Sequence, residues 1–244
     1  MFSNLEAMLA QADANDVVEG QLAYVRYHQV MCTLAQRYSV PLPRVVAAFV
    51  SLSPNNDYAG NLRSTVSVLA GRYTQDDDAI TVSTYKHCRT RALQYVRGQR
   101  DFLREAKGPK ITNFYHNILT PDDSRWVTID GHMVAAWKGQ RLVMKQALCT
   151  LREYREIAAA TKALAFQNFM LPNQVQAIIW FARKRTLHVK YNGQLNLFGA
   201  KDDVWNTLKD VTQMKPYSIQ SSGFSSRTTS SGSMEMIAPK LGVW

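Results

Sequence analysis

The chain has 244 residues, and 46% of them are hydrophobic, so it is long enough to bury a substantial core without covalent staples. Its three cysteines lie far apart and form no C-x-x-C pair, which argues against a disulfide framework and against a thiolate metal site. The net charge is +10, and the first twenty residues hold four acids and no base. The basic remainder favours a polyanionic partner such as DNA, although a basic protein without such a partner would carry the same charge.

The apolar residues indicate neither a membrane span nor a secretion signal. No apolar run approaches the ~18 residues that a bilayer crossing needs. The opening "MFSNLEAMLAQADANDVVEG" has acids where a signal peptide has bases. We expect a cytoplasmic protein in a reducing compartment, without a membrane partner.

The residue pattern of the first half of the chain predicts a series of helices. Apolar residues recur at helical intervals across 5–38, which indicates one or two helices, and Pro41 and Pro43 end this run. The stretch "RVVAAFVSLS" predicts a buried helix, "PNNDYAG" a polar break, and "NLRSTVSVLAGR" a further helix that ends at Gly71. After a loop or helix start at "QDDDAITVS", the basic stretch "TYKHCRTRALQYVRGQRDFLREA" predicts two short helices separated near Gly98.

The second half continues this pattern up to about residue 187. "QRLVMKQALCTLREYREIAAATKALAFQNF" has long helical periodicity, and Pro172 restarts a helix in "PNQVQAIIWFARKR". Trp137 and Trp180 lie in apolar helical stripes and are predicted to be core residues. Beyond these helices, "LHVKYNGQLNLFG" indicates a small hairpin and "SIQSSGFSSRTTSSGS" a flexible segment. We therefore predict an all-α fold with an N-terminal helical segment at 1–44, a core at 45–190 and a C-terminal extension at 191–244.

A helical hairpin is predicted around Gly108 and Pro109. One helix ends at about Ala106 and the next begins at about Lys110, with apolar residues along one side of the second helix. Such a hairpin offers backbone N–H groups and a helix N-terminus to a DNA phosphate, with Thr112 as a further candidate contact. Many helical hairpins turn on glycine without binding an anion, so both interpretations stay open.

An aspartate follows the hairpin and stands at the start of the next predicted helix. Twenty residues after Lys110, Asp130 in "TIDGHM" stands directly ahead of a predicted helix at 131–138. An aspartate in this place can cap the helix through its carboxylate. It can also be a catalytic acid, and the combination with Lys110 makes that interpretation worth pursuing.

The combination resembles the helix-hairpin-helix DNA glycosylase superfamily, and is most similar to its 8-oxoguanine and endonuclease III-like branches. "VTIDGHMVAAW" looks like the Val-x-Asp-x-His segment of that family, and "VVAAFVSLSPNNDYAGNL" is similar to its buried helix and polar turn beside the base pocket. The resemblance covers about residues 45–185. Of the family's Leu-Pro-Gly-x-Gly turn only Gly108 is kept, and the four-cysteine iron–sulfur loop is absent, so no metal and no cofactor are proposed.

The resemblance implies a two-lobed helical fold that binds DNA and flips a base out of the duplex. By this resemblance Asp130 matches the essential acid, and Lys110 matches the lysine that is the nucleophile of bifunctional members. The carboxylate would stabilise the positive charge that develops on the deoxyribose, and the lysine would form a Schiff base. Lys110 could equally be a surface lysine or a phosphate contact.

Two further groups of residues are candidates, the first by its position in the family pattern and the second by its positive charge at the end of a helix. The residues at the base-recognition turn could read a base edge, or could simply form a turn around a proline. The basic residues at the end of the last helix could contact phosphates, or could interact with the helix C-terminus, and His132 could contact a phosphate or pack in the first turn of its helix. The base-pocket candidates are Ser53, Asn55, Asn56 and Asp57, and the basic candidates are Arg183, Lys184 and Arg185.

Three functions are compatible with the sequence. The first is a DNA glycosylase, with or without lyase activity, that excises a damaged or modified base. The second is a transferase on the same scaffold that joins an amine or amino acid to an activated 5-methylpyrimidine in DNA, as do some viral hypermodification enzymes that resemble this superfamily. The third is a non-catalytic DNA-binding module in which Asp130 only caps a helix.

Overall fold

A computed structural model of the chain describes residues 2–106, 108–140 and 147–187, with the side chain of Phe2 left out. The extension predicted at 191–244, with its Ser-rich segment, lies outside these residues. The hairpin predicted over 187–199 also lies outside them, apart from Leu187.

The described residues form α-helices joined by turns, with one short 3₁₀ turn at Asp77–Ala79 and no β-strand among them. The predicted all-α class is therefore confirmed. Within this described part, no helix combines the length and the apolar content that a membrane crossing requires. The helices are α1 Phe2–Ala10, α2 Ala14–Tyr38, α3 Leu42–Ser51, α4 Tyr58–Ala70, α5 Lys86–Val96, α6 Phe102–Glu105, α7 Pro109–Leu119, α8 Gly131–Lys138, α9 Leu151–Gln167 and α10 Pro172–Thr186.

Short polar side chains set where several of these helices begin. The Asp13 carboxylate accepts a hydrogen bond from Asp16 N at 2.8 Å and starts α2, and the Thr150 hydroxyl accepts one from Glu153 N at 3.1 Å and starts α9. The periodicity across 140–169 predicted a longer helix than α9. Ala147–Thr150 are not helical, because Thr150 takes the extended backbone conformation of a cap.

The helices bury two apolar clusters, and α10 contributes to both. The first cluster is built from α2, α3, α4, α5 and α7, and the second from α1, α8, α9 and the segment before α8. Ala177 and Phe181 belong to the first cluster, whereas Val175 and Ile179 belong to the second. Because these residues alternate around the helix, α10 lies between the two clusters.

The antiparallel pair α2 and α10 is packed very closely. A Cβ added at Gly20 would lie 2.6 Å from the backbone nitrogen of Ile178, which is too short for any side chain. One turn further on, the Tyr24 hydroxyl donates to the Gln176 side-chain oxygen at 2.8 Å, and both residues are buried. These contacts fix α10 relative to the rest of the molecule and so position the side chains at its C-terminal end.

Candidate functional site

The predicted hairpin turn is present, and it is open to solvent. Gly108 precedes α7 with φ 95°, a backbone conformation that other residues rarely adopt, and a Cβ placed there would meet nothing within 4 Å. Pro109 is the first residue of α7, and the Thr112 hydroxyl donates back to the Gly108 carbonyl at 3.2 Å. Lys110 is exposed at this turn. The backbone and the lysine are therefore accessible to a large partner.

A buried polar network joins the hairpin helix to the segment that leads to Asp130. The Asn113 amide donates to the Val127 carbonyl at 2.7 Å and to the Tyr154 hydroxyl at 3.1 Å. Ile129 N donates to the same hydroxyl at 3.2 Å. The chain at 127–129 is buried and is held between α7 and α9, so the position of Asp130 depends on both helices.

A second amide on α7 supports the same segment. In the orientation that satisfies both of its ends, the fully buried Asn117 amide donates to the Trp126 carbonyl at 3.0 Å and accepts from Thr128 N at 3.2 Å. Asn113 and Asn117 are four residues apart and face the same segment. This network was not predicted from the sequence, although two asparagines four residues apart on an apolar helix face are a usable signal for it.

Asp130 caps α8, as one of the two interpretations predicted. Its Oδ1 accepts a hydrogen bond from Met133 N at 3.0 Å, and α8 runs from Gly131 to Lys138 as expected. The other oxygen accepts no hydrogen bond from the residues that the structure describes, and the side chain is only half-buried. The cap therefore leaves one carboxylate oxygen for a further role.

Several predicted site residues lie near enough to His132 to shift the pKa of its imidazole. Burial lowers the pKa of this imidazole, and three cations from α7 and α10 lower it further, whereas the neighbouring Asp130 carboxylate raises it. The three cations are Lys184, Arg183 and Lys110. Residues predicted from distant parts of the sequence thus share one electrostatic environment.

Lys184 is more deeply buried than its place at the end of an apolar helix predicts. It was predicted to contact phosphate, yet it is only 4% exposed, and its Nζ lies 3.2 Å from the centre of the Trp180 ring. Trp180 is half-buried and meets His132 edge-on, with 6.0 Å between ring centres. Burial lowers the pKa of Lys184 to about 7, and the Asp130 carboxylate partly opposes this shift.

The neighbouring arginines have structural partners. Arg183 is buried and donates to the Gln140 carbonyl at 2.8 Å. Arg185 forms ion pairs with Asp13 at 3.0 Å and with Asp16 at 2.7 Å. These contacts tie α10 to the start of α2 and to the end of α8, and phosphate binding by the arginines stays a prediction.

The predicted base-pocket turn is stabilised by its own hydrogen bonds. The Ser53 hydroxyl donates to the Val50 carbonyl at 2.8 Å, and the Asn56 amide donates to the Leu52 carbonyl at 3.2 Å. Asp57 caps α4 by accepting from the backbone nitrogen three residues on, at 2.6 Å. Turn formation is therefore confirmed, and base recognition stays a prediction. Asn55 differs from the other three: it is exposed, with φ 51°.

An aromatic layer, which the sequence analysis missed, extends from this turn toward Asp130. Tyr58 follows the turn and lies 5.1 Å from Tyr27, measured between ring centres. Tyr27 lies 6.4 Å from Phe114, and Phe114 lies 6.4 Å from Tyr24. Burial raises the pKa of Tyr24, and the Asp130 carboxylate contributes to that rise. The layer therefore connects the turn with the carboxylate, and its members Tyr27 and Phe114 are half-buried.

A groove of about 670 Å³ lies elsewhere, between α3, α5, α6 and the middle of α7. Arg44, Arg100 and Tyr115 are among its lining residues, and none of the predicted catalytic residues lines it. Arg100 is paired with Glu105 at 2.6 Å, so part of the positive charge of the groove is neutralised. The groove is distinct from the site around His132.

The described part of the chain is all-helical, and it carries a carboxylate, an imidazole and two lysines, from α7, α8 and α10, that influence one another electrostatically. Residues 1–187 match a family of unknown function (DUF7178), and the chain belongs to this family. No curated protein and no solved structure matches the chain.

Proposed function

We propose that this protein is a DNA glycosylase that flips a modified base out of DNA and uses the Asp130 carboxylate to break the glycosidic bond. The observation that carries the proposal is that Asp130 lies two residues before His132 and that Lys184 and Lys110 are near enough to act on the same imidazole electrostatically. A carboxylate and amines in one environment are the groups that this reaction needs. The resemblance to the helix-hairpin-helix glycosylases supports the same assignment.

The carboxylate is suited to stabilise an electron-deficient sugar. Breaking the bond between C1′ and the base develops positive charge on the deoxyribose, and a fixed carboxylate lowers the energy of that state. Asp130 is held by its bond to Met133 N and is half-buried, so its charge is oriented and only partly screened by water. Its Oδ2 would face the sugar.

The surroundings of the Asp130 carboxylate are suited to binding a polyanion such as DNA. Lys110 and the open turn at Gly108 lie at the N-terminus of α7, where backbone N–H groups and the helix dipole favour a phosphate. This arrangement would bind a phosphate next to the flipped nucleotide without reading sequence. The net charge of +10 supports such binding.

The aromatic layer offers a surface for the extruded base. Tyr27 and Phe114 are half-buried and lie between the 53–57 turn and Tyr24. A flipped base gains stacking on aromatic rings and loses stacking in the duplex, so such a surface offsets part of the cost of flipping. The exposed Asn55 amide at the neighbouring turn is the candidate for hydrogen bonds to the base.

The test is incubation with duplexes that carry a panel of damaged and modified bases, followed by abasic-site detection and nucleoside mass spectrometry. Asp130→Asn should abolish abasic-site formation and keep DNA binding. Asp101→Asn is the matched control, because Asp101 also caps a helix but is absent from the His132 environment. An intact nucleoside of increased mass would instead indicate the base-modifying transferase. DNA binding that survives Asp130→Asn, with no product from the wild type on any duplex, would indicate a non-catalytic binding module.

A further inference from the structure

The two lysines of the site occupy very different positions. Lys110 is exposed beside the open turn, whereas Lys184 is 4% exposed, and its Nζ rests on the Trp180 ring. A lysine at an open turn is well placed for phosphate, which binds a protonated ammonium. A lysine inside the site, beside a carboxylate, is better placed for chemistry on a nucleotide that has left the duplex.

The position of Lys184 is fixed from several sides. It lies on α10, which the Gly20 and Tyr24 contacts hold against α2. Its ammonium lies 3.2 Å from the centre of the Trp180 ring, and Trp180 in turn lies edge-on to His132. Asp130 is close enough to influence it electrostatically. Among the described residues, an indole, an imidazole and a carboxylate lie near this amine, and Arg183 and Lys110 act on the same imidazole.

We propose that Lys184, and not Lys110, is the amine that bonds to C1′ of the flipped deoxyribose, and that Lys110 contacts phosphate. This inference rests on the proposed glycosylase function and assigns the nucleophile of the same site. Desolvation supports it, because burial lowers the pKa of Lys184 to about 7, so the neutral amine forms more readily near pH 7 than in an ordinary lysine with a pKa near 10.4.

The reaction balances with the groups that are present. The neutral amine donates its lone pair to C1′, and the bond from C1′ to the base breaks, so the base leaves with that electron pair and takes a proton from water. The nitrogen then passes a proton to Asp130, the C1′–O4′ bond opens, and O4′ takes that proton back. The product is a protonated imine between Lys184 and C1′. On an abasic site the same amine adds to the C1′ aldehyde and loses water, and borohydride then delivers hydride to C1′.

The experiment uses the full chain and a duplex with a preformed abasic site, so that no base excision is required. Samples are treated with borohydride at pH 7, and the crosslinked peptide is mapped by mass spectrometry. We expect the crosslink on Lys184, and a loss of at least about tenfold in Lys184→Arg and Lys184→Met. Lys184→Arg keeps a cation against Trp180, and Lys184→Met tests the amine with similar bulk, each after a check of thermal unfolding.

Two further lysine variants test whether the crosslink is specific to Lys184. Lys110→Gln should require more DNA for saturation and still give the Lys184 crosslink. Lys162→Gln, at an exposed position on α9 outside the site, should stay within about twofold of the wild type. A crosslink on Lys110, or one that persists in both Lys184 variants, would overturn the proposal. Abasic sites that form in an Asp130-dependent reaction without any crosslink would overturn it too, and would leave the glycosylase function standing.

A second arm needs no DNA. The chain is incubated with 2-deoxyribose 5-phosphate and borohydride, and the modified lysines are ranked by yield. Preferential modification of Lys184 over the exposed Lys162 would support the proposal that Lys184 is the reactive amine. Equal or greater modification of Lys162 would overturn that proposal. If this arm succeeds while no duplex is bound or processed, the DNA function is wrong although the amine is reactive.

Discussion

The Asn113 amide on α7 donates to the Val127 carbonyl at 2.7 Å, which bonds the helix of Lys110 to the segment that ends at Asp130. The same amide reaches the Tyr154 hydroxyl at 3.1 Å, so α9 takes part in the connection. The distance between the hairpin lysine and the carboxylate thus depends on a side chain that contacts neither of them.

Asn113→Ala is therefore expected to reduce activity more than it reduces DNA binding. Loss of the amide removes one hydrogen bond to the Val127 carbonyl, which still accepts one from the Tyr154 hydroxyl at 3.2 Å, so the cost is about 0.5–1.5 kcal/mol of unfolding free energy. The shift of Asp130 relative to Lys110 should lower the excision rate further. Chemical denaturation, DNA titration and single-turnover excision measure the three effects. The control is Asn168→Ala, which removes an amide bonded to the Leu164 carbonyl at the far end of α9. An equal loss of activity in both variants would contradict the positioning role.

Substitutions at Asp130 should separate its two roles. Asparagine caps a helix about as well as aspartate, so Asp130→Asn should change the unfolding free energy by only a few tenths of a kcal/mol while activity is lost. Asp130→Ala removes the bond to Met133 N as well and should cost about 1 kcal/mol. Urea denaturation of both variants measures the difference. A strongly destabilised Asp130→Asn protein would mean that the charge itself holds the fold.

Lys184→Met should change how stability depends on pH. Burial lowers the pKa of Lys184 to about 7 in the folded protein, whereas an unfolded lysine has a pKa of about 10.4. Between these values the unfolded chain binds more protons, so the stability contributed by this group rises with pH. The variant should therefore gain most over the wild type at or below pH 7, and the gain should shrink toward about pH 10. Thermal unfolding of both proteins across this pH range measures the gain. A gain that does not vary with pH would argue against a desolvated amine.

Gly20→Ala should loosen the packing of α10. The new Cβ would lie 2.6 Å from Ile178 N, and this backbone atom cannot move without moving the helix. The strain should exceed the helix-propensity gain of about 1 kcal/mol, giving a net destabilisation of about 1–3 kcal/mol. Gly60→Ala is the comparison, because its nearest neighbour is the side-chain oxygen of Asn56, which can turn away. Circular dichroism melts report the difference, and similar melts for both variants would show that α2 and α10 separate easily.

Features that depend on local chemistry could be predicted from the sequence. The hairpin turn at Gly108 and the cap at Asp130 follow from residue types and their spacing, because φ 95° favours glycine and a helix start favours aspartate. The burial of Lys184 could not be predicted in this way. It depends on which face of α10 meets α8, and the run Arg183–Arg185 reads equally well as a solvated helix end. The aromatic layer was missed for the same reason, since its rings come from three separate helices.

The close contact of α2 with α10 also determines when the site can form. Tyr24 and Gln176 are 152 residues apart, so their hydrogen bond closes a very long loop and can form only once both helices are present. During synthesis the inner face of α2 has no partner in α10 until that helix has left the ribosome. A nascent chain that ends before α10 can contain the hairpin and the cap, but it lacks Trp180 and Lys184. The proposed site would therefore assemble only after almost the whole of 2–187 has been made, so an unfinished chain would lack it.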